Sequence, residues 1–143
     1  MALITWSDNH FALGITEMDD THRELVTLIN ALDNAHGSAF LGLFTELLYH
    51  TRDHFEREKQ LMHASGFPTR NEHEAEHRQV LTELIQLQMS LKKGFIPIAR
   101  NYVRKNLPHW FILHAATMDT ALAAHLKQRP IKKTERHRLL REA

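Results

Sequence analysis

The sequence predicts an all-α protein: an up-down-up-down four-helix bundle with an extended N-terminal arm. Three observations predict it. Apolar residues recur in alternating steps of four and three along four separate stretches, the period of one helix face. Short loops marked by glycine or proline divide these stretches, and short connections favour antiparallel neighbours. No stretch shows the period of two that a half-buried strand needs. A chain of 143 residues is long enough for one domain with its own core.

Residues 1–17 lack helical periodicity. Trp6, Phe11, Leu13 and Ile15 read as anchors of an arm packed on the outside, with Gly14 as a turn. The first helix is expected from Asp19 or Asp20, both good N-cap residues. Its seam is Met18, His22, Leu25, Ile29, Leu32 and His36, and Gly37 is expected to end it. The second helix runs from about Phe40 to His63 on Phe40, Phe44, Leu47, Thr51, His54, Glu58 and Leu61, and Gly66-Phe67-Pro68 stops it. The third runs from about Asn71 to Lys92 on His73, His77, Val80, Leu84, Leu87 and Leu91, and Gly94 closes it. The fourth starts around Pro97, which suits a first turn. Its seam is Val103, Leu107, Trp110, His114, Thr117 and Ala121, and it fades near Lys127. Pro108 lies inside this pattern. It removes a backbone donor and crowds the carbonyl four residues earlier, so a kink is expected there.

The seams carry residues that do not belong in an apolar core: His22, His54, Glu58, His73, His77 and His114. Imidazole and carboxylate are costly on a buried face unless something pairs with them. When all four buried faces carry such groups, metal held inside the bundle is the natural partner. The spacing of four in His54/Glu58 and His73/His77 places each pair one above the other on its helix. The levels also agree. His22 lies near the start of the first helix, His54 and Glu58 near the end of the second. His73 and His77 open the third, and His114 lies late in the fourth. In an antiparallel bundle these positions share one end of the molecule.

Asp119 does not follow from this geometry. Five residues beyond His114 it falls about 140° around an α-helix, so only a local distortion would turn it inward. The remaining histidines, 10, 36, 50, 63, 109, 125 and 137, are not read as ligands.

Composition narrows the chemistry. The chain has no cysteine, which removes disulfides, thiolate zinc sites, iron–sulfur clusters and thiol nucleophiles. Any metal must sit on nitrogen and oxygen donors. Hydrophobic content of 43% and charged content of 24% are those of an ordinary globular protein. No apolar run reaches the ~20 residues of a membrane span. No signal peptide is visible, so a cytoplasmic protein without stable membrane insertion is expected. Nothing suggests nucleic acid as a partner. Residues 127–143 hold seven Lys/Arg against two Glu, a basic tail on a mildly acidic body. The tail is read as a solvated end, with docking of a protein partner as the alternative.

Trp6, GITEMDDTH ending at His22, HFEREKQLM from His54, HEAEH from His73 to His77 and WFILHAATMD from Trp110 to Asp119 together resemble the hemerythrin family in its single-domain bacterial form. The resemblance covers about residues 4–126, and so implies a di-iron bundle over 1–126 with the basic tail beyond it. It implies reversible dioxygen binding at two iron ions with a solvent-derived oxo/hydroxo bridge, and no enzymatic role. By the family pattern His73, His77 and His114 hold one iron and His22 and His54 the other. Glu58 and Asp119 bridge them, and the resemblance is what brings Asp119 into the set. Phe55, Trp110, Phe111 and Ile112 are expected to line an apolar pocket. Ala115 stands where the family often carries a bulky aliphatic residue, which widens the pocket or a solvent path and favours faster autoxidation.

Alternative uses of the same centre are oxygen or redox sensing through a partner, and a di-iron enzyme acting on peroxide or nitric oxide. A zinc hydrolase fits less well, since seven ligands exceed the usual three of a catalytic zinc. The donor set accepts iron and manganese alike.

Overall fold

The computed structural model describes residues 2–128. Helix α1 is one turn, Asp8–Phe11. Helices α2 (Thr16–Asp33), α3 (Gly37–Ser65) and α4 (Arg70–Lys92) form three rods of the bundle. The fourth rod is composite. It runs through α5 (Ile96–Asn101), a π-turn (Tyr102–Asn106), α6 (Leu107–His114), a second π-turn (Ala115–Asp119) and α7 (Thr120–Gln128). The described residues contain no strand, and none of their helices is long and apolar enough to cross a membrane. Residues 129–143, most of the expected basic tail, lie outside the described part.

The first three seams are buried as their spacing predicts, apart from Leu87, which is half-buried, and His36. His36 is exposed in the loop before α3. Gly37 opens α3 instead of ending the first helix, and its φ of +55° suits the turn between the two. The first helix also starts earlier than expected, at Thr16, so neither Asp19 nor Asp20 caps it. Asp19 reaches backward instead. Its carboxylate accepts the backbone N–H groups of Leu13 (2.8 Å) and Gly14 (3.3 Å) and ties the arm to the helix. Asn30 fastens the far end of the arm, accepting the Ile4 N–H at 3.0 Å and donating to the Ile4 carbonyl at 2.8 Å. Gly66, with φ of +66°, ends α3, and the Phe67 N–H bonds the Met62 carbonyl at 2.9 Å.

The fourth rod departs furthest from the sequence pattern. At Pro108 the structure answers the missing donor with a π-turn. The Leu107 N–H bonds the Tyr102 carbonyl, five residues back. The wider turn gives the proline ring room. Beyond His114 the expected seam residues Thr117 and Ala121 are exposed, and Asp119, Leu122, Ala123 and Leu126 are buried in their place. The cause is the second π-turn, where the Thr120 N–H bonds the Ala115 carbonyl. One extra residue is absorbed there, and every later side chain is rotated accordingly.

Two apolar clusters fill the bundle. The larger includes Leu25, Ile29, Phe40, Phe44, Leu47, Leu84, Val103 and Phe111. The smaller is Ile15, Met18, Leu61, Met62, Phe67, Leu122, Ala123 and Leu126. The polar seam residues lie between the two. His22 falls between Met18 and Leu25, Glu58 between Phe55 and Leu61, and Asp119 between Ala115 and Leu122.

The second π-turn gives an asymmetric expectation. Deleting the exposed Ala116 turns it into an ordinary α-turn and leaves the downstream faces in phase, so the thermal midpoint should fall by only a few degrees. Inserting an alanine after Ala116 rotates the rest by about a further 100°. That withdraws Leu122 and Leu126 from the core, at roughly 2–5 kcal/mol each. Thermal unfolding followed by circular dichroism checks both; equal losses would refute the register argument.

Candidate metal centre

Four rods each supply donors at one level. α2 brings His22, α3 brings His54 and Glu58, and α4 brings His73 and His77. The fourth rod brings His114 from the end of α6 and Asp119 from the second π-turn. All seven are buried. The one residue that helical geometry alone could not place, Asp119, is there because a π-turn carries a spacing of five nearly once around the axis.

The two carboxylates divide their oxygens. Glu58 Oε1 lies 3.2 Å from His73 Nε2 and 3.6 Å from His77 Nε2. Its Oε2 lies 2.5 Å from His54 Nε2 and 4.0 Å from His22 Nε2. Asp119 Oδ1 faces His114 Nε2 at 3.1 Å and His73 Nε2 at 3.3 Å, while its Oδ2 faces His22 Nε2 at 3.2 Å. The result is two adjoining nests that share both carboxylates, one with three imidazoles and one with two. Donor atoms of Glu58, His73, His77, His114 and Asp119 all lie within 4.8 Å of one another, and so do those of His22, His54 and Glu58.

The donors suit cations better than they suit one another. His77 Nε2 and His114 Nε2 face each other at 3.1 Å. Asp119 Oδ1, Asp119 Oδ2 and His22 Nε2 are buried without a well-aligned hydrogen bond, although oppositely charged atoms are close. An ion in each nest satisfies these lone pairs together.

Electrostatics follows from this crowding. Burial alone would raise the Glu58 carboxyl, and Asp119 adds to that, but His54 and His73 bring it below the ordinary carboxylate range. Asp119 is likewise held well below its usual value against burial, chiefly by His114, with His22 and His73 also close to its oxygens. Burial works against charge on His73, yet Asp119 and Glu58 push it up to about 10. His22 and His114 are raised in the same way, against burial, mainly by Asp119. His77 goes the other way, driven well below its usual value by burial, with Glu58 failing to offset it.

Aromatic rings pack directly on the donors. Phe55 lies flat on His77, with centroids 3.7 Å apart and planes at 3°. Trp110 stacks on His114 at 4.5 Å, and Phe111 sets its edge against His22 at 5.3 Å. Ala115 is 3% exposed. Ile112, expected in the lining, is 46% exposed and does not take part. It lies two residues from His114, about 200° around the helix. A cleft of about 170 Å³ between α3 and α4, lined by Phe55, His77 and Leu81 with Arg52, Lys59 and Arg78 among its charged residues, approaches the three-histidine nest.

Among the described residues none of the other histidines joins the donor groups, although the His50 ring lies 6.3 Å from that of His54. His50 pairs with Glu24, His63 with Glu74, and His125 with the Ser65 carbonyl. His137 lies outside the described part. One contact escaped the sequence reading. Glu76 Oε1 accepts the His114 Nδ1–H at 2.9 Å. Its only sequence signal is a place beside His77, since the contact depends on how α4 and α6 pack.

In metal-free protein the buried imidazoles and carboxylates set the pH dependence of stability. His22, His73 and His114 have raised values, so their contribution is complete below about pH 6.5 and is lost as pH rises, toward about 10 for His73. Glu58 and Asp119 have lowered values and contribute above about pH 4. The thermal midpoint of metal-free protein should therefore fall by several degrees between pH 7 and 10. Metal-loaded protein should fall less, because ligated imidazoles are already neutral. Superimposable pH profiles for the two forms would contradict the assignment.

Comparison with known proteins converges on one family. The hemerythrin HHE cation binding domain matches residues 13–127. Bacteriohemerythrin of Ralstonia nicotianae is 32% identical over 129 residues, 90% of this chain and 93% of that protein. Bacteriohemerythrin of Stenotrophomonas maltophilia is 29% identical over 136 residues, 90% of this chain and 87% of the other. A crystal structure of hemerythrin with a leucine-to-tyrosine substitution superimposes with a TM-score of 0.82 at 25% identity, covering 88% of this chain and 98% of its own. From the bundle, the inward donors and these matches together, the chain belongs to the hemerythrin family.

Proposed function

We propose that this chain binds dioxygen reversibly at two non-haem iron ions, for storage, delivery or scavenging. The observation that carries the reading is the division of Glu58 and Asp119 oxygens between a three-histidine and a two-histidine nest. In this reading His73, His77 and His114 would hold one iron and His22 and His54 the other, with Glu58 and Asp119 serving both, and a solvent-derived oxygen would complete the centre. When bound, the irons supply the electrons that reversible dioxygen binding requires.

The chain's own residues do the rest. The nest of His22 and His54 has one imidazole fewer, so it has room for an outside ligand. Five neutral imidazoles against two carboxylates keep the centre less anionic than a carboxylate-rich site, which favours carriage over oxidation chemistry. Phe55, Trp110 and Phe111 cover His77, His114 and His22 and limit the entry of water. The names of the relatives support the same reading, since the curated matches above are bacteriohemerythrins.

The test is metal content followed by optical titration. Iron-supplemented protein should hold two irons per chain. After anaerobic reduction its spectrum should change in air and return under argon. Irreversible oxidation, or stoichiometric zinc or manganese in place of iron, would overturn the proposal. Ala115→Leu adds bulk beside His114 and should slow autoxidation severalfold; an unchanged rate would remove Ala115 from the access path.

A further inference from the structure

Four of the five inward imidazoles share a property that the fifth lacks. The outer Nδ1 atoms of His22, His54, His73 and His77 are buried with no hydrogen-bond partner. His114 Nδ1 alone is engaged, by Glu76 Oε1 at 2.9 Å. We propose that Glu76 is a positioning residue that fixes His114 in its Nδ1–H tautomer and makes it the strongest imidazole donor of the centre. The inference rests on the di-iron reading of the site.

An imidazole that donates its N–H to a carboxylate becomes more basic at its other nitrogen. His114 Nε2 points inward, toward Asp119 Oδ1 and His77 Nε2. Trp110, stacked on the ring at 17°, fixes its plane, and Glu76 decides which edge of that plane faces in. A flipped ring would lose the Glu76 bond and turn carbon toward the metal. The better donor sits in the three-histidine nest, so the extra basicity stabilises the oxidised form of that ion over the reduced one. The two halves of the centre therefore differ in donor strength as well as donor number.

Glu76 is placed to act without being part of the core. Its side chain is 38% exposed. It lines a cleft of about 350 Å³ between α4 and the fourth rod, together with Glu83, Tyr102, Asn106 and Trp110. It stands outside both apolar clusters, so the packing around the centre should survive its replacement.

The experiment compares wild type, Glu76→Gln, Glu76→Leu and Glu83→Gln. Glu83 lines the same cleft and controls for loss of a nearby charge. Metal-free melting should be the same in all four within a few degrees. In iron-loaded protein Glu76→Leu should bind iron about 10–100-fold more weakly and show a raised midpoint potential. Glu76→Gln, which keeps an acceptor oxygen without the charge, should fall between, and Glu83→Gln should match wild type. Wild-type affinity and potential in Glu76→Leu would overturn the proposal, as would an equal shift in Glu83→Gln. If wild type loads iron and binds dioxygen while Glu76→Leu is indistinguishable from it, this inference alone fails. If wild type takes up no iron, the functional reading fails and takes this one with it.

Discussion

The structure depends on one constraint: seven polar donors are buried at a single level between two apolar clusters. Nothing in a four-helix bundle requires this, and much opposes it. Polar groups removed from water cost free energy unless they are paired, and a buried charge left without its partner costs roughly 3–5 kcal/mol. The larger cluster, around Phe40, Phe44 and Ile29, closes the layer on one side, and Met18, Leu61 and Leu122 close it on the other. Water has little access to the donors, so they must satisfy one another or share a cation. The fold is therefore a container whose stability and whose chemistry draw on the same contacts.

The composite fourth rod is what completes the layer. A regular helix would set His114 and Asp119 on different faces. The π-turn from Ala115 to Asp119 brings them onto one, at 3.1 Å, and also turns Leu122 and Leu126 into the smaller cluster. A π-turn leaves hydrogen bonds longer in register and is seldom kept without a use. Here it serves ligand geometry and apolar packing at once. Buried Ala115, small beside the His114 ring, opens this turn. The arm supports the same region from outside through Phe11, which stacks on Phe111 at 6.0 Å, and Phe111 in turn meets His22.

The sequence made most of this layer legible because α-helical periodicity is strict over long amphipathic stretches. Phe40 through Leu61, and His73 through Leu91 apart from half-buried Leu87, fall where their steps of four and three put them. The antiparallel order then brings His22, His54, His73 and His114 to one end. Legibility stopped where the helix itself changed. Thr117 and Ala121 were expected inside because the period was carried through a turn with one residue too many. Asp119 came from family resemblance for the same reason. Gly37 and Asp19 misled differently. Each is a favoured terminal residue, but Gly37 starts a helix and Asp19 holds the arm, and only the packed chain decides between such uses. Ile112 was expected in the lining from its apolar character, whereas its place on the helix turns it to solvent. Glu76 had no visible role because its contact crosses between helices.

Protons and metal ions compete for the same atoms in this layer, which ties the electrostatics to the fold. Glu58 and Asp119 bring two negative charges into a region that excludes water, and those charges need counter-charge. In metal-free protein His73, pushed up to about 10 by Asp119 and Glu58, supplies part of it as imidazolium, and His22 and His114 are shifted in the same direction. His77, buried and pressed by His73 and His114, remains neutral and so keeps a lone pair ready. A cation held in this layer would take the place of those protons as counter-charge, and each carboxylate faces both nests. That is why a bundle of this kind can hold its donors in order before metal arrives, and why its pH dependence and its metal affinity are two measures of one set of contacts.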